Sequence, residues 1–171
     1  SALVGKWLVE HGFKVGIIAQ PEVDVPDDIT RLGEPNLFFA ISGGCVDSMV
    51  ANYTATKKRR QQDDFTPGGE NNKRPDRAVL VYSNMIRRFF KGTTKKIVIS
   101  GIESSLRRIT HYDYWTNKLR KPILFDAKAD ILSYGMGEMS MLQLANALKN
   151  GEDWQNIRGL CYLSKEPKED Y

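Results

Sequence analysis

Short apolar runs separated by glycine and proline set the pattern of this chain. Leu37-Phe38-Phe39-Ala40-Ile41 and Ile97-Val98-Ile99 are apolar at consecutive positions. A parallel sheet covered by helices on both sides requires that pattern, because neither face of its strands meets water. Val15-Gly16-Ile17-Ile18-Ala19 reads as another strand, ended by Gln20-Pro21. Ile123-Leu124-Phe125 and Ile131-Leu132-Ser133-Tyr134 supply one or two more, and residues 159–163 an edge strand.

Between these runs the apolar residues recur at helical spacing. Ala2, Leu3, Trp7 and Leu8 mark a first helix closed by Gly12; Val46, Met49, Val50 and Tyr53 mark a second. Pro75-Asp76 opens a third, with Ala78, Val81, Met85 and Phe89 inward and Gly92 as its stop. Met141, Leu142, Leu144, Ala145 and Leu148 form a last one ending at Asn150-Gly151. Residues 56–77 break the pattern with Lys57-Lys58-Arg59-Arg60, Pro67-Gly68-Gly69 and Asn71-Asn72, which predicts a flexible, solvated insertion. Strands alternating with helices predict a single α/β domain over 1–171: a doubly wound, mainly parallel sheet with helices on both faces.

Composition narrows this. Hydrophobic residues make up 41% and charged ones 27%, which excludes a disordered chain. No apolar run approaches the ~20 residues that cross a bilayer. No secretory signal is visible either, so a cytoplasmic setting is expected. The chain opens directly into a helical pattern, which predicts a fragment of something longer. Two cysteines and two histidines, none clustered, argue against a disulfide framework, a zinc site or an iron–sulfur cluster. The net charge of +4 permits an anionic partner without demanding one.

Ligands of open parallel sheets bind beyond the carboxyl ends of the strands. That rule selects Gln20-Pro21, Ser42-Gly43-Gly44, the stretch from Gly101 to Arg108, and Gly135-Met136-Gly137-Glu138. Ser42, Gly43 and Gly44 form either a tight strand-to-helix turn, the commoner outcome, or an approach for an anion. Gly135 and Gly137 permit another strand-to-helix bend and Glu138 suits the helix start that follows, an arrangement more often structural. Around Glu103, Ser104 or Ser105 caps a helix, and Arg107 and Arg108 either form surface ion pairs or hold a phosphate or carboxylate bidentately. His111 and Asp113, inside His111-Tyr112-Asp113-Tyr114-Trp115, fit an amphipathic wall better than acid–base work. Cys45 is expected to pack. Lys57 to Arg60, read as one helix end, point around its circumference and make no single-faced stripe for nucleic acid.

Several runs resemble the N-terminal region of the YgiQ-type radical SAM proteins. They are Asp47-Ser48-Met49, Arg74-Pro75-Asp76-Arg77-Ala78, the run from Gly101 to Arg108, the run from His111 to Trp115, and the run from Ala129 to Glu138. The resemblance spans nearly the whole chain in order. It implies a Rossmann-like domain similar to the cobalamin-binding domain of other radical SAM enzymes, with Ser42, Gly43, Gly44, Gly135, Gly137 and Glu138 as its cofactor-facing turns. Ile157-Arg158-Gly159-Leu160-Cys161-Tyr162 matches that pattern too. In the family a downstream barrel carries Cys-x-x-x-Cys-x-x-Cys for a 4Fe-4S cluster and S-adenosylmethionine. That triad is absent here, as is the Asp-x-His-x-x-Gly loop that ligates cobalt.

The resulting expectation is an accessory domain of a radical SAM enzyme, without catalytic or metal-ligating residues of its own. Glu103, Arg107, Arg108, His111 and Asp113 would face a substrate or the downstream barrel of the same chain. The 4Fe-4S cluster and S-adenosylmethionine would belong to the full-length protein. The rivals are an RNA-binding module built on Lys57 to Arg60 and the aromatic run, a cobalamin domain without histidine ligation, and a free-standing nucleotide-cofactor enzyme.

Overall fold

The computed structural model describes residues 2–165. Its central sheet contains β1 (Phe38–Ser42), β2 (Lys96–Ser100), β5 (Ile131–Ser133) and β6 (Leu160–Tyr162), in the order β1-β2-β5-β6. The first three strands are parallel, and β6 runs antiparallel to β5 along the edge. A separate hairpin joins β3 (His111–Asp113) to β4 (Lys118–Arg120). Seven helices complete the described chain: α1 (Ala2–Glu10), α2 (Pro26–Thr30), α3 (Ser48–Asn52), α4 (Ala78–Phe89), α5 (Gly101–Leu106), α6 (Ile123–Ala127) and α7 (Glu138–Asn150).

Alternation along each strand divides the core between two faces. Ile41, Ile97, Ile99 and Leu132 pack with Val79, Met85 and Ile86 of α4 and Leu124 of α6. Val98 and Ile131 point the other way, against Met141 and Leu144 of α7. Leu142 and Ala145 of α7 in turn meet Leu8 of α1. The doubly wound, mainly parallel sheet is therefore present, with helices on both faces. No helix among the described residues is long and apolar enough to cross a membrane.

Four segments depart from the expectation. Residues 15–19 have no sheet partner among the described residues; Ile17 is exposed, while Val15 packs beside α1. An apolar run becomes a strand only when a ladder neighbour is there to pair with. Ile123-Leu124-Phe125 is the start of α6 instead of a strand. Pro122 precedes it, and Ile123, Leu124 and Ala127 bury one helical face while Phe125 stays exposed. In α3, Val50 points outward and Met49 inward, since Asp47 caps the helix and so fixes its phase.

The insertion differs most. Residues 56–77 contain no helix or strand, but Asp63, Thr66, Asn71 and Arg74 are buried. Arg74 pairs with Asp63 at 3.1 Å, and Asn71 donates through Nδ2 to the Asn52 and Arg60 carbonyls. This segment is packed through polar contacts, which hydropathy does not register.

Candidate functional site

The parallel strands β1, β2 and β5 end in Ser42, Ser100 and Ser133, so the turns that follow emerge at one edge. Hydrogen bonds and close packing join them. Gly101, at φ +85°, lies so near Ser42 that a Cβ there would approach its Oγ to 2.9 Å. Gly135 donates its N–H to Ser105 Oγ at 3.2 Å. Three of the four expected segments thus converge. Gln20 does not join them; its side chain donates to Thr66 Oγ1 in the insertion.

Most of the polar groups here serve the chain itself. Glu103 is buried, and its carboxylate accepts the N–H groups of Ser48 and Val79, at 3.0 and 3.3 Å. These belong to the first turns of α3 and α4, where backbone donors have no helical acceptor and where negative charge is favoured. Ser48 Oγ accepts the Ala78 N–H as well. Asp47 caps α3 by accepting from Met49 and Val50, and it pairs with Arg107. Gly43 leaves room for this arrangement: a Cβ there would stand 2.5 Å from Glu103 Oε2.

The other expected residues separate into two groups. Asp113 is buried and bound to Arg77 at 2.7 Å, with Thr116 donating to the same carboxylate oxygen. Burial pushes the Asp113 carboxyl up, but the bonds from Arg77 and Thr116 outweigh it and hold the group down at about 2. This pair fastens the hairpin to the start of α4. His111 Nδ1 lies 3.1 Å from the Ile109 carbonyl, and its Nε2 is enclosed without a hydrogen-bond partner. Arg108 is exposed. It donates to the Ser105 carbonyl and lies 5.2 Å over the Tyr134 ring, with no carboxylate within ion-pair reach among the described residues.

Around Arg108 the edge is apolar. Ile102, Leu106, Ile109, Tyr134, Met136 and Met139 are all exposed, Met136 at 84%. They come from α5 with its trailing loop and from the turn after β5 with the first turn of α7, the two segments tied by the Gly135–Ser105 bond. A concentration of this kind on a folded surface marks a contact site more often than chance. Hydropathy gave no warning of it, because apolar residues near strands and helices read as core.

The radical SAM N-terminal family matches residues 1–171, the whole chain. The chain belongs to this family. A UPF0313 protein of Fusobacterium nucleatum is 96% identical over 171 residues, covering all of this domain and 30% of the relative. A UPF0313 protein of Thermotoga neapolitana is 54% identical over 99% of the domain and 30% of its own length. One from Methanocaldococcus jannaschii is 54% identical over 92% and 26%. The domain therefore spans about 30% of the length of the first two relatives. The family is the one that the motif runs resemble. Among solved structures, the radical S-adenosylmethionine methyltransferase TsrM from Kitasatospora setae aligns with a TM-score of 0.61 at 17% identity, over 95% of this domain and 25% of that chain. That likeness is one of fold.

The residues of this radical SAM N-terminal domain do not fit an iron–sulfur cluster. Cys45 is exposed, Cys161 is half-buried in β6, and no three metal-binding side chains gather among the described residues. Cys45 was expected to pack, yet it is exposed. Burial pushes the Cys161 thiol up, against the pull of Arg108. Nor do the glycine turns form a clear cradle for a large cofactor. Ser42 Oγ accepts the Gly44 N–H, Gly43 is backed by Glu103, and a Cβ on Gly137 would meet Ser133 Oγ at 3.3 Å. Of the glycines in these strand-end turns, Gly44 and Gly135 face open space. Glu138 opens α7, where its charge suits the helix start. Asp47 and Arg77, which hold this edge together, stand in the motif runs but not among the expected site residues, because their partners lie 60 and 36 positions away.

Proposed function

We propose that this domain is the accessory N-terminal unit of a radical SAM enzyme and docks its strand-end rim on the downstream part of the same polypeptide. The observation that carries this reading is the exposed apolar edge of Ile102, Leu106, Ile109, Tyr134, Met136 and Met139 around Arg108. Apolar side chains left in water at the edge where α/β domains do their work favour burial against a neighbour. Arg108, paired with no carboxylate among the described residues, keeps guanidinium donors beyond its bond to Ser105, suited to a carboxylate of that neighbour or of a substrate held between the two. The domain supplies no cluster ligands in this reading, and the 4Fe-4S cluster and S-adenosylmethionine belong to the downstream region.

The test is hydrogen–deuterium exchange on the full-length protein. Backbone amides of 101–109 and 134–139 are expected to be protected. Leu106→Asp with Met136→Asp should release them, together with one downstream segment, while β2 and β5 stay protected. Unchanged exchange in the double variant, or a rim already fully exchanged in the parent protein, would defeat the proposal. S-adenosylmethionine cleavage by the isolated 171-residue chain would defeat the accessory role.

A further inference from the structure

The run Lys57-Lys58-Arg59-Arg60 is not a helix end. Lys57 has φ +61°, its N–H donates to the Thr54 carbonyl, and Thr54 in turn donates to the Lys58 carbonyl. Lys57 and Lys58 close a tight turn, and Arg59 and Arg60 run back beside Tyr53 and Asn52; all four residues are exposed. A helical run would have spread these charges around its circumference; a turn projects them from one protrusion.

The aromatic hairpin meets that turn. Tyr114 Oη donates to the Ala55 carbonyl at 2.7 Å, and Lys57 Nζ lies 4.5 Å from the centre of the Tyr114 ring. Trp115 packs on Tyr53 at 5.3 Å and on Tyr114 at 5.4 Å, while Arg59 lies 5.8 Å from the Tyr53 ring. Tyr112 is more than half exposed, with its hydroxyl fixed to Asn117 at 2.5 Å. Lys118 follows the hairpin turn and is exposed. Asp76 accepts from Tyr53 and Asn52 and pairs with Arg59 at 3.9 Å, while Lys57, Lys58 and Arg60 have no carboxylate within ion-pair reach among the described residues.

An open groove of about 690 Å3 begins at Arg60 and runs between α3 and residues 61–65. Gln61, Gln62 and the exposed Asp64 line it beside Val50 and Phe65. Cations that track a phosphate backbone, exposed aromatic rings and amide side chains able to bond base edges are the parts of a single-strand nucleic-acid surface. We propose that residues 57–62 together with Tyr112, Tyr114 and Lys118 bind single-stranded nucleic acid. The proposal concerns a different surface from the apolar rim and goes beyond the accessory role.

Fluorescence anisotropy of the full-length protein with labelled oligouridylate and oligothymidylate of about 12 nucleotides tests it. Binding is expected at about 50 mM salt and should weaken with a log–log slope of about −3, as four or five cations release counterions. Lys57→Glu with Lys58→Glu should abolish it. Tyr112→Ala and Tyr114→Ala should each weaken it about tenfold. Lys91→Glu, beyond the far end of α4, should leave it unchanged. Preference for either oligomer supports the proposal and identifies the strand. No binding at low salt overturns it, as does equal affinity for inorganic polyphosphate that survives both tyrosine substitutions, because the surface would then be a bare cation patch.

Discussion

The carboxylate of Glu103 and the backbone N–H of Ser48, 55 positions apart in sequence, meet at 3.0 Å inside the protein. The second carboxylate oxygen takes the Val79 N–H, so one side chain closes the starts of α3 and α4 at once. Glu103→Ala should destabilise the fold by about 2–4 kcal/mol, since two buried donors lose their acceptor. Gly43→Ala should cost about 1–3 kcal/mol by pressing a methyl group on the same carboxylate. Chemical denaturation of both variants measures these losses. If Glu103→Ala were neutral, the carboxylate would have no structural role.

Asp113 makes stability depend on pH. Its folded pKa is depressed to about 2 from an ordinary 3.8. The ion pair with Arg77 therefore contributes fully above the unfolded value, and its contribution is lost as pH falls from about 4 to about 2. At neutral pH the shift corresponds to about 2 kcal/mol. Asp113→Asn should be less stable than the parent at neutral pH, and the gap should close over that acid window. Denaturation midpoints measured at several pH values check this; a gap independent of pH would refute it.

Asp63 and Arg74 form the buried pair of the insertion, both side chains at least 95% enclosed. Arg74→Met leaves an uncompensated carboxylate and should cost about 3–5 kcal/mol, with part recovered by adding Asp63→Asn. Limited proteolysis should then cut between residues 60 and 72 in the single variant before it cuts the parent. Equal cleavage rates would mean that the pair does not hold the segment.

Lys128 caps α6 in the left-handed region, at φ +50°. Lys128→Gly should stabilise the domain by about 0.5–1 kcal/mol, because the backbone there strains any residue with a Cβ. The carbonyl that receives Arg87 Nε is retained by this change. Thermal unfolding would reveal the gain, and a fall in melting temperature would contradict it.

The sheet was legible where a segment carries its own instructions. Ile97, Val98 and Ile99 are apolar on both faces and became β2, fully buried. Gly151, at φ +71°, ends α7 where the pattern placed the stop. Residues 15–19 carry a similar run and form no strand, since pairing needs a neighbour the local pattern does not name. The hairpin of β3 and β4 was missed because its outward residues, Tyr112 and Leu119, are apolar and exposed. Of the expected site, the convergence of three turns follows from parallel strands. The uses of their side chains do not. Arg107 and Arg108 are adjacent and chemically identical, yet one pairs with Asp47 and the other remains free of carboxylates.

By itself the sequence determined the class of fold, the family and the edge where the strand ends gather, because each follows from short-range periodicity or from contiguous motifs. Tertiary structure alone decided which polar groups are internal fastenings, which apolar ones stay in water, and that a basic turn lies against an aromatic hairpin. Those outcomes depend on burial and on partners tens of residues away, and a side chain's chemistry does not specify whom it will meet.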